Sequence, residues 1–269
     1  MTAVERVGGW VLRLVAVMTL GYLLLPMAVI VGASFTTSDF LTFPPRGLTL
    51  RWYAAFVRAP GWVDSFTLSL QLAAATTAVA TAVGVPAALA LARHAVPGHR
   101  WLSALFLSPL VLPQVVLGVG LLQYLSLAGL ARTFGAILIG HVLLTLPYII
   151  RSVMATLAGV DRALEEAAAD LGASPTVTFL TVTLPAIKGG VVAGALFAFV
   201  ISWTNVEVTM FFTTSRLNPL PVNIMNYIAY TVDPLVAAIS AASVYVSFVV
   251  LVLIEATVGL DRFAETRPR

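Results

Sequence analysis

The residue types that support enzyme chemistry are sparse in this sequence. The only lysine, Lys188, follows Ile187, so the chain lacks the Gly-Lys-Ser/Thr sequence of a phosphate-binding P-loop. None of its three histidines, His94, His99 and His141, belongs to a His-Glu-x-x-His zinc site. The absence of cysteine excludes a thiolate nucleophile, a disulfide and a cysteine metal site. We therefore predict a chain that is not an enzyme and has no catalytic residue, cofactor site or metal site of its own.

One carboxylate lies within a long apolar run. Glu207 follows Ser202 and Asn205 in the sequence Ser-Trp-Thr-Asn-Val-Glu. A carboxylate at membrane depth is costly and usually faces a cavity or a partner. Ser202, Asn205 and Glu207 are therefore candidates to line a polar path for a cation. The alternative is that Glu207 lies near the outer interface, where it is solvated or paired with another subunit.

The segment with the clearest local pattern covers residues 161–175. Asp161 is suited to cap a helix, and Gly172 stands where a left-handed residue would end it. Ser174 and Pro175 then have the residue types of a second N-cap and a first helical position. The apolar residues of the first helix share one face: Leu164, Ala167, Ala168 and Leu171. The pattern predicts a short amphipathic helix, a tight turn and a second element.

Two interpretations of this segment compete. A helix lying on lipid headgroups prefers large apolar and basic residues. The stripe here has alanine rather than tryptophan or phenylalanine beside its leucines, and its neighbours Glu165 and Glu166 are acidic, which favours close contact with another protein. The following residues 176–183 alternate like a strand, but an isolated strand has unpaired edges, so we predict a helix.

Composition identifies the surroundings of these residues. Of the 269 residues, 59% are hydrophobic and 10% are charged, and the mean hydropathy is +0.98. Soluble domains carry about a quarter charged residues, so these values indicate an all-α, polytopic membrane protein. Six continuous apolar runs predict about six transmembrane helices, approximately at residues 14–31, 68–91, 102–125, 134–150, 190–212 and 234–258. The first run is longer than a signal-peptide core, which favours an uncleaved helix over a cleaved leader.

Basic residues predict the orientation. With both termini in the cytoplasm, the loops divide the 15 basic residues with an excess on the inner side, as the positive-inside rule requires. Residues 161–187 then form a cytoplasmic loop. On the outer side, Trp52 and Tyr53 lie in a short amphipathic segment that is suited to an interfacial helix, with contact to an outer partner as the alternative.

The loop also carries a family motif. Glu166-Ala167-Ala168 is followed after three residues by Gly172 and after nine more by Val182-Thr183-Leu184-Pro185. This pattern, after the fourth of six spans, resembles the EAA loop of permease subunits in binding-protein-dependent ABC importers; Val182 replaces the usual Ile. Other segments resemble the spermidine/putrescine branch: Phe43-Pro44-Pro45, Leu50-Arg51-Trp52-Tyr53, Leu146-Pro147-Tyr148 with His141, Leu220-Pro221-Val222 with Tyr227, Asp233-Pro234 with Ala237-Ala238, and the ending Gly259-Leu260-Asp261-Arg262-Phe263.

The resemblance implies an assembly and a mechanism. It implies one transmembrane domain over residues 1–269 with the type I ABC importer permease fold, in the bacterial inner membrane. The implied partners are two cytoplasmic ABC ATPase subunits that bind ATP, a second permease subunit, a periplasmic solute-binding protein and membrane lipid, with no nucleic acid. The residues carried over to the ATPase contact are Glu166, Ala167, Ala168 and Gly172. ATP-driven closure of the ATPase pair would open the spans outward.

The cargo is less constrained than the mechanism. The resemblance implies a polyamine such as spermidine or putrescine, and a heterodimer rather than a homodimer of permeases. The branch often has an aspartate where this chain has Thr204. Alternatives are a permease for another small solute, such as an aminophosphonate or an opine, and a self-contained secondary transporter. The latter would require inverted repeats and several intramembrane charges.

Overall fold

The computed structural model describes residues 3–93 and 97–258, and this part of the chain is helical and contains no β-strand. Within these residues, five helices are long and apolar enough to cross a bilayer. A sixth crossing is obtained if His99–Leu110 and Gln114–Leu127, which are bent by 107°, count as one broken span. The prediction of an all-α chain with about six membrane helices is confirmed. The resembling segment at residues 259–263 lies outside the described residues.

The helices in chain order are α1 (Ala3–Ala33), α2 (Arg51–Arg58), α3 (Pro60–Arg93), α4 (His99–Leu107), α5 (Gln114–Leu127), α6 (Phe134–Leu157), α7 (Ala163–Asp170), α8 (Pro175–Thr178), α9 (Leu184–Thr204), α10 (Leu220–Ile228) and α11 (Pro234–Val258). Short 3-10 turns cover Ser108–Leu110 and Thr209–Phe211, and a π-helical turn, Phe179–Thr183, joins α8 to α9.

The predicted span at residues 102–125 is not one continuous helix. It consists of α4, the 3-10 turn and α5, with the break immediately before Gln114. Pro109 and Pro113 remove two backbone donors from a short stretch, and Pro113 adopts an extended ψ of 128°. Pro26, Pro86 and Pro147, in contrast, lie inside helices α1, α3 and α6. Proline therefore interrupts this crossing where the others continue.

The chain divides into two compact units, of which the first comprises Met1–Val63 and Ile224–Ser247. In this unit the polar ends of the α2 aromatic residues form hydrogen bonds with the segment after α1. Trp52 Nε1 donates to the Thr36 carbonyl at 3.0 Å, and the Tyr53 hydroxyl lies 2.7 Å from Ser34 Oγ. Burial raises the pKa of Tyr53 to about 12, so its hydroxyl stays neutral. These hydrogen bonds hold α2 against the segment after α1. The indole N–H of Trp52 and the hydroxyl of Tyr53 therefore have partners within the unit as well as any that headgroups would offer.

The second unit comprises Asp64–Asn223 and Phe248–Arg269. Its core joins α3, α6 and α9 through buried residues that include Ala88, Ile149 and Ile187. Helices α6 and α9 approach each other closely. A Cβ atom at Gly190 would lie 2.7 Å from the Ser152 carbonyl oxygen, and one at Gly194 would lie 3.0 Å from Ile149 Cα. This Gly-x-x-x-Gly spacing lets two membrane helices pack backbone to backbone.

Candidate functional site

The predicted hairpin at residues 161–175 forms as the sequence indicates. Asp161 Oδ1 accepts a hydrogen bond from the Ala163 backbone N–H at 2.9 Å, where α7 begins. Gly172 has a φ of +85°, the left-handed conformation that side chains disfavour. Ser174 Oγ then accepts from the Val177 N–H at 3.4 Å, with Pro175 in the first turn of α8. The predicted turn at Gly172 and the Ser174 cap are confirmed, whereas the N-cap position of α7 is Arg162, so Asp161 acts one residue before the predicted place. We call α7, the Gly172 turn and α8 the hairpin.

The backbone after the hairpin remains helical. Residues 176–183 belong to α8 and to the π-helical turn that leads into α9. The prediction of a helix over this β-branched stretch is confirmed, although the π turn was not foreseen. A π turn adds a residue to one turn of the helix, which shifts the faces of the residues that precede it.

The residues predicted to contact an ATPase lie on the surface of the chain. The Glu166 side chain is 68% exposed and its nearest charged partner is Arg162, with Nε 3.5 Å from Oε1. Ala167 and Gly172 are exposed and Ala168 is half-buried. The largest apolar residue beside them, Leu171, is 89% exposed. An exposed leucine beside small residues and a carboxylate is a surface that a protein partner can cover.

The neighbouring carboxylate, Glu165, has the opposite environment. Its Oε1 accepts a hydrogen bond from the Thr183 hydroxyl at 3.1 Å, and its Oε2 lies 3.5 Å from Arg93 Nε. The sequence pattern identifies Glu165 only as an acidic neighbour of the apolar stripe on α7. The partners of Glu165 are Arg93, at the end of α3, and Thr183, just before α9. Both are distant from Glu165 in sequence, so only the fold shows that they meet.

A second group of polar residues is buried in the same unit. His141, on α6, has Nδ1 2.7 Å from Ser202 Oγ and Nε2 2.8 Å from Thr209 Oγ1. Asn205 Nδ2 donates to Gln114 Oε1 at 2.7 Å, and Asn205 Oδ1 accepts from the Val208 N–H at 3.1 Å. His141, Ser202, Asn205, Thr209 and Gln114 are called the polar cluster below. His141 has the structural role, bonded to another helix, that is the usual one for a lone histidine on an apolar helix.

The three predicted path residues are separated by their environments. Ser202 and Asn205 are buried and committed to hydrogen bonds within the polar cluster. Glu207 is exposed and lies in a turn, because α9 ends at Thr204 rather than running through the predicted span 190–212. The helix stops where Asn205 turns to an extended ψ of 126° and its side chain caps the following N–H groups. Glu207 is thus an exposed residue beyond the end of α9, and both alternatives for it, a polar path and a solvated position, remain predictions.

Comparison with known protein families identifies the family to which this chain belongs. A family model described as "Binding-protein-dependent transport system inner membrane component" matches residues 80–259, well over half of the chain and including the hairpin and the polar cluster. The chain belongs to this family. The resemblance of residues 166–185 to the permease EAA loop is in keeping with this membership. The chain is therefore a permease subunit, a transport component and a multi-pass inner membrane protein.

Curated relatives match most of the chain. The spermidine/putrescine transport system permease protein PotC of Escherichia coli strain K12 is 29% identical over 231 residues, covering 86% of this chain and 87% of PotC. The putrescine transport system permease protein PotI of the same strain is 30% identical over 237 residues, covering 84% and 83%. The molybdenum transport system permease protein ModB of Mycobacterium bovis is 35% identical over 216 residues, covering 72% and 80%.

Solved structures share the fold. One is a crystal structure of a bacterial ABC transporter involved in the import of the acidic polysaccharide alginate. It matches with a TM-score of 0.72 and 16% identity, over 95% of this chain and 98% of the matched chain. A second structure, of the alginate transporter with a pentasaccharide-bound periplasmic protein, matches with a TM-score of 0.66 and 14% identity, over 97% and 96%. The predicted ABC importer permease fold is confirmed.

Proposed function

We propose that this chain is the permease subunit of an ATP-driven importer that carries a polyamine such as spermidine or putrescine. It pairs with a second permease, binds two cytoplasmic ABC ATPase subunits and receives cargo from a periplasmic solute-binding protein. Both termini and residues 161–187 face the cytoplasm. ATP is bound and hydrolysed by the ATPase subunits.

The exposed hairpin is the observation that carries this proposal. Its caps and its left-handed glycine fix a rigid shape, yet it presents Glu166, Ala167 and Leu171 to the outside of the chain. A short rigid helix with a small-residue face can enter a cleft of another protein, and the carboxylate can pair with a basic residue there. We infer that this cleft belongs to an ATPase subunit.

Alternating access requires that each state of the spans favour a different state of the ATPase pair. Closure of the ATPase pair would bring the two docked hairpins together and open the cargo path outward. The tight α6–α9 contact through Gly190 and Gly194 supports this proposal, because two helices packed this closely move as one body.

The polyamine cargo rests on PotC and PotI, which match a larger share of the chain than ModB does. The exposed carboxylate of Glu207 adds a chemical reason, since a negative group at a pathway attracts cations and repels oxyanions. Of the three predicted path residues, we propose that Glu207 meets the cargo and that Ser202 and Asn205 hold the surrounding backbone.

The direct test is reconstitution. The chain, its partner permease, its ATPase and its binding protein from the same bacterium are placed in proteoliposomes with internal ATP. We expect uptake of labelled spermidine or putrescine that requires both ATP and the binding protein. Molybdate is the comparison cargo, and selective molybdate uptake would replace the polyamine assignment. Uptake without the ATPase would refute the importer proposal.

The orientation of the chain can be tested separately. Because the sequence contains no cysteine, an introduced cysteine is the single thiol of the chain that can be labelled. A single D170C substitution on α7 should react with an impermeant thiol reagent only after the cells are opened. Labelling of intact spheroplasts would place the hairpin outside and contradict the proposal.

A further inference from the structure

The Glu165 carboxylate makes contacts that the docking role of the hairpin does not use. Its side chain is 19% exposed and that of Arg93 is 17% exposed, against 68% for Glu166 one residue later. Consecutive residues on a helix point in different directions, so one carboxylate faces out while the other faces the body of the chain. A pair shielded from solvent is screened less by salt than an exposed pair.

The partners of Glu165 belong to the ends of long helices. Arg93 is the last residue of α3, and Thr183 is the last residue of the π turn that continues into α9. Arg93 Nη2 also donates to the carbonyl of Val160 at 3.0 Å, just after α6. We call this set, Arg93, Glu165, Thr183 and Val160, the Glu165 bridge. It connects the short helix α7 to three helices that pass through the core of the unit.

An open cavity lies beside the bridge. It has a volume of about 580 Å³ and is lined by Arg93, Arg162, Glu165, Phe179 and Thr183, among others. Apolar packing between α7 and the end of α3 is therefore incomplete at this place. The polar bridge holds α7 in position where close-packed side chains would otherwise do so.

We propose that Glu165 and Arg93 are positioning residues that transmit the displacement of the docked hairpin to α3 and α9. The inference rests on the proposed function, since α7 moves with an ATPase subunit only if that subunit binds it. Glu166 and Gly172 then contact the ATPase subunit, whereas Glu165 and Arg93 link the ATPase-bound helix α7 to the membrane-spanning helices. In this proposal the Glu166 carboxylate binds the ATPase, and the Glu165 carboxylate transmits the movement of the ATPase to the membrane-spanning helices.

The test compares E165Q with E166Q in the complete reconstituted complex. For E165Q we expect normal co-purification of the ATPase but a fall of about fivefold or more in spermidine transported per ATP hydrolysed, a typical size for coupling between sites. For E166Q we expect weaker co-purification. The R93E/E165R double variant, which restores opposite charges, should recover most of the lost ratio that R93E or E165R alone destroys.

A second measurement does not depend on cargo. Spin labels at the exposed positions of A92C and D170C, at the end of α3 and on α7, report whether the two helices stay together. With the ATPase bound, we expect the same narrow distance distribution with and without ATP, and a broader one in E165Q. This readout also applies to variants that assemble but transport poorly.

The outcomes separate the two proposals. An E165Q complex with an unchanged transport ratio and an unchanged label distance would overturn the positioning role, as would an assembled R93E/E165R complex with no recovery. Loss of ATPase binding in E165Q equal to that in E166Q would also overturn it, because Glu165 would then act in docking. Failure of the unmodified chain to bind any ATPase would refute the proposed function instead.

Discussion

The hairpin and the polar cluster both place polar residues in an apolar chain, but their environments differ. In the cluster, His141, Ser202 and Asn205 are buried. His141 forms a hydrogen bond with Ser202, and Asn205 forms one with Gln114. In the hairpin, Glu166 and Leu171 are exposed and have few contacts within the chain. Buried polar groups need hydrogen-bond partners within the protein, whereas exposed polar groups are solvated and remain available to bind another protein. The cluster therefore stabilises the subunit, whereas the role that we propose for the hairpin is to connect the subunit to another protein.

The largest effect is expected from breaking the cluster. H141L removes two buried hydrogen bonds and leaves the Ser202 hydroxyl without its partner. We expect a loss of about 2 kcal/mol in the free energy of unfolding, roughly thirtyfold in the folding equilibrium. Thermal unfolding of the purified subunit measures it. The control is T204V, two residues after Ser202 on α9 but exposed and bonded only within α9. Equal stability of the two variants would remove the distinction between cluster and surface.

The next effect is expected in the hairpin, where function should be lost while membrane insertion is kept. E166K reverses the exposed charge, and G172D places a side chain at a φ of +85°. Both variants should insert normally but lose about tenfold or more of cargo-stimulated ATPase activity and uptake. D170K is the matched control, because Asp170 is also an exposed carboxylate on α7. An equal defect in D170K would show that net charge rather than the Glu166 contact matters.

A smaller effect is expected at Glu207. If this exposed carboxylate attracts the cationic cargo, E207Q should raise the KM for uptake about fivefold and change kcat less. E207D keeps the charge and should retain most of the affinity. Titration of uptake against the cargo-loaded binding protein separates the two constants. Unchanged transport in E207Q would remove Glu207 from the path.

The smallest effect is expected at Arg162. Its pair with Glu166 is exposed at both ends, and such i,i+4 pairs contribute about 0.5 kcal/mol or less. R162A should therefore unfold at nearly the same temperature as the unmodified chain and keep its uptake. A transport defect as large as that of E166K would mean that Glu166 acts through Arg162 rather than through a partner protein.

Local patterns explain which parts of the molecule could be predicted. The hairpin was foreseen because Asp161, Gly172 and Ser174 each act on backbone atoms within a few residues, so sequence spacing is enough. The apolar runs predicted the membrane helices for a similar reason. The break at Pro113 was harder, because proline inside other helices of this chain is tolerated.

The contacts that were missed join residues distant in sequence. Glu165 meets Arg93 and Thr183, and Asn205 meets Gln114, only because α3, α5, α7 and α9 are brought together. Hydropathy also placed the end of the fifth span at residue 212, beyond the end of α9 at Thr204, since an apolar run says nothing about where a helix stops. Asn205 ends α9 by capping the next turn, and a polar cap inside an apolar run is a weak sequence signal.

The two interruptions of regular backbone have a consequence for what surrounds them. Residues 111–113 precede α5, residues 205–208 follow α9, and Gln114 and Asn205 join the two places. Hydrocarbon tails offer no partners to peptide groups outside a helix, so non-helical chain at bilayer depth survives only against protein or water. Wherever these two stretches fall below the headgroups and are not covered by this chain itself, a second subunit or a hydrated lumen, and not acyl chains, must cover them.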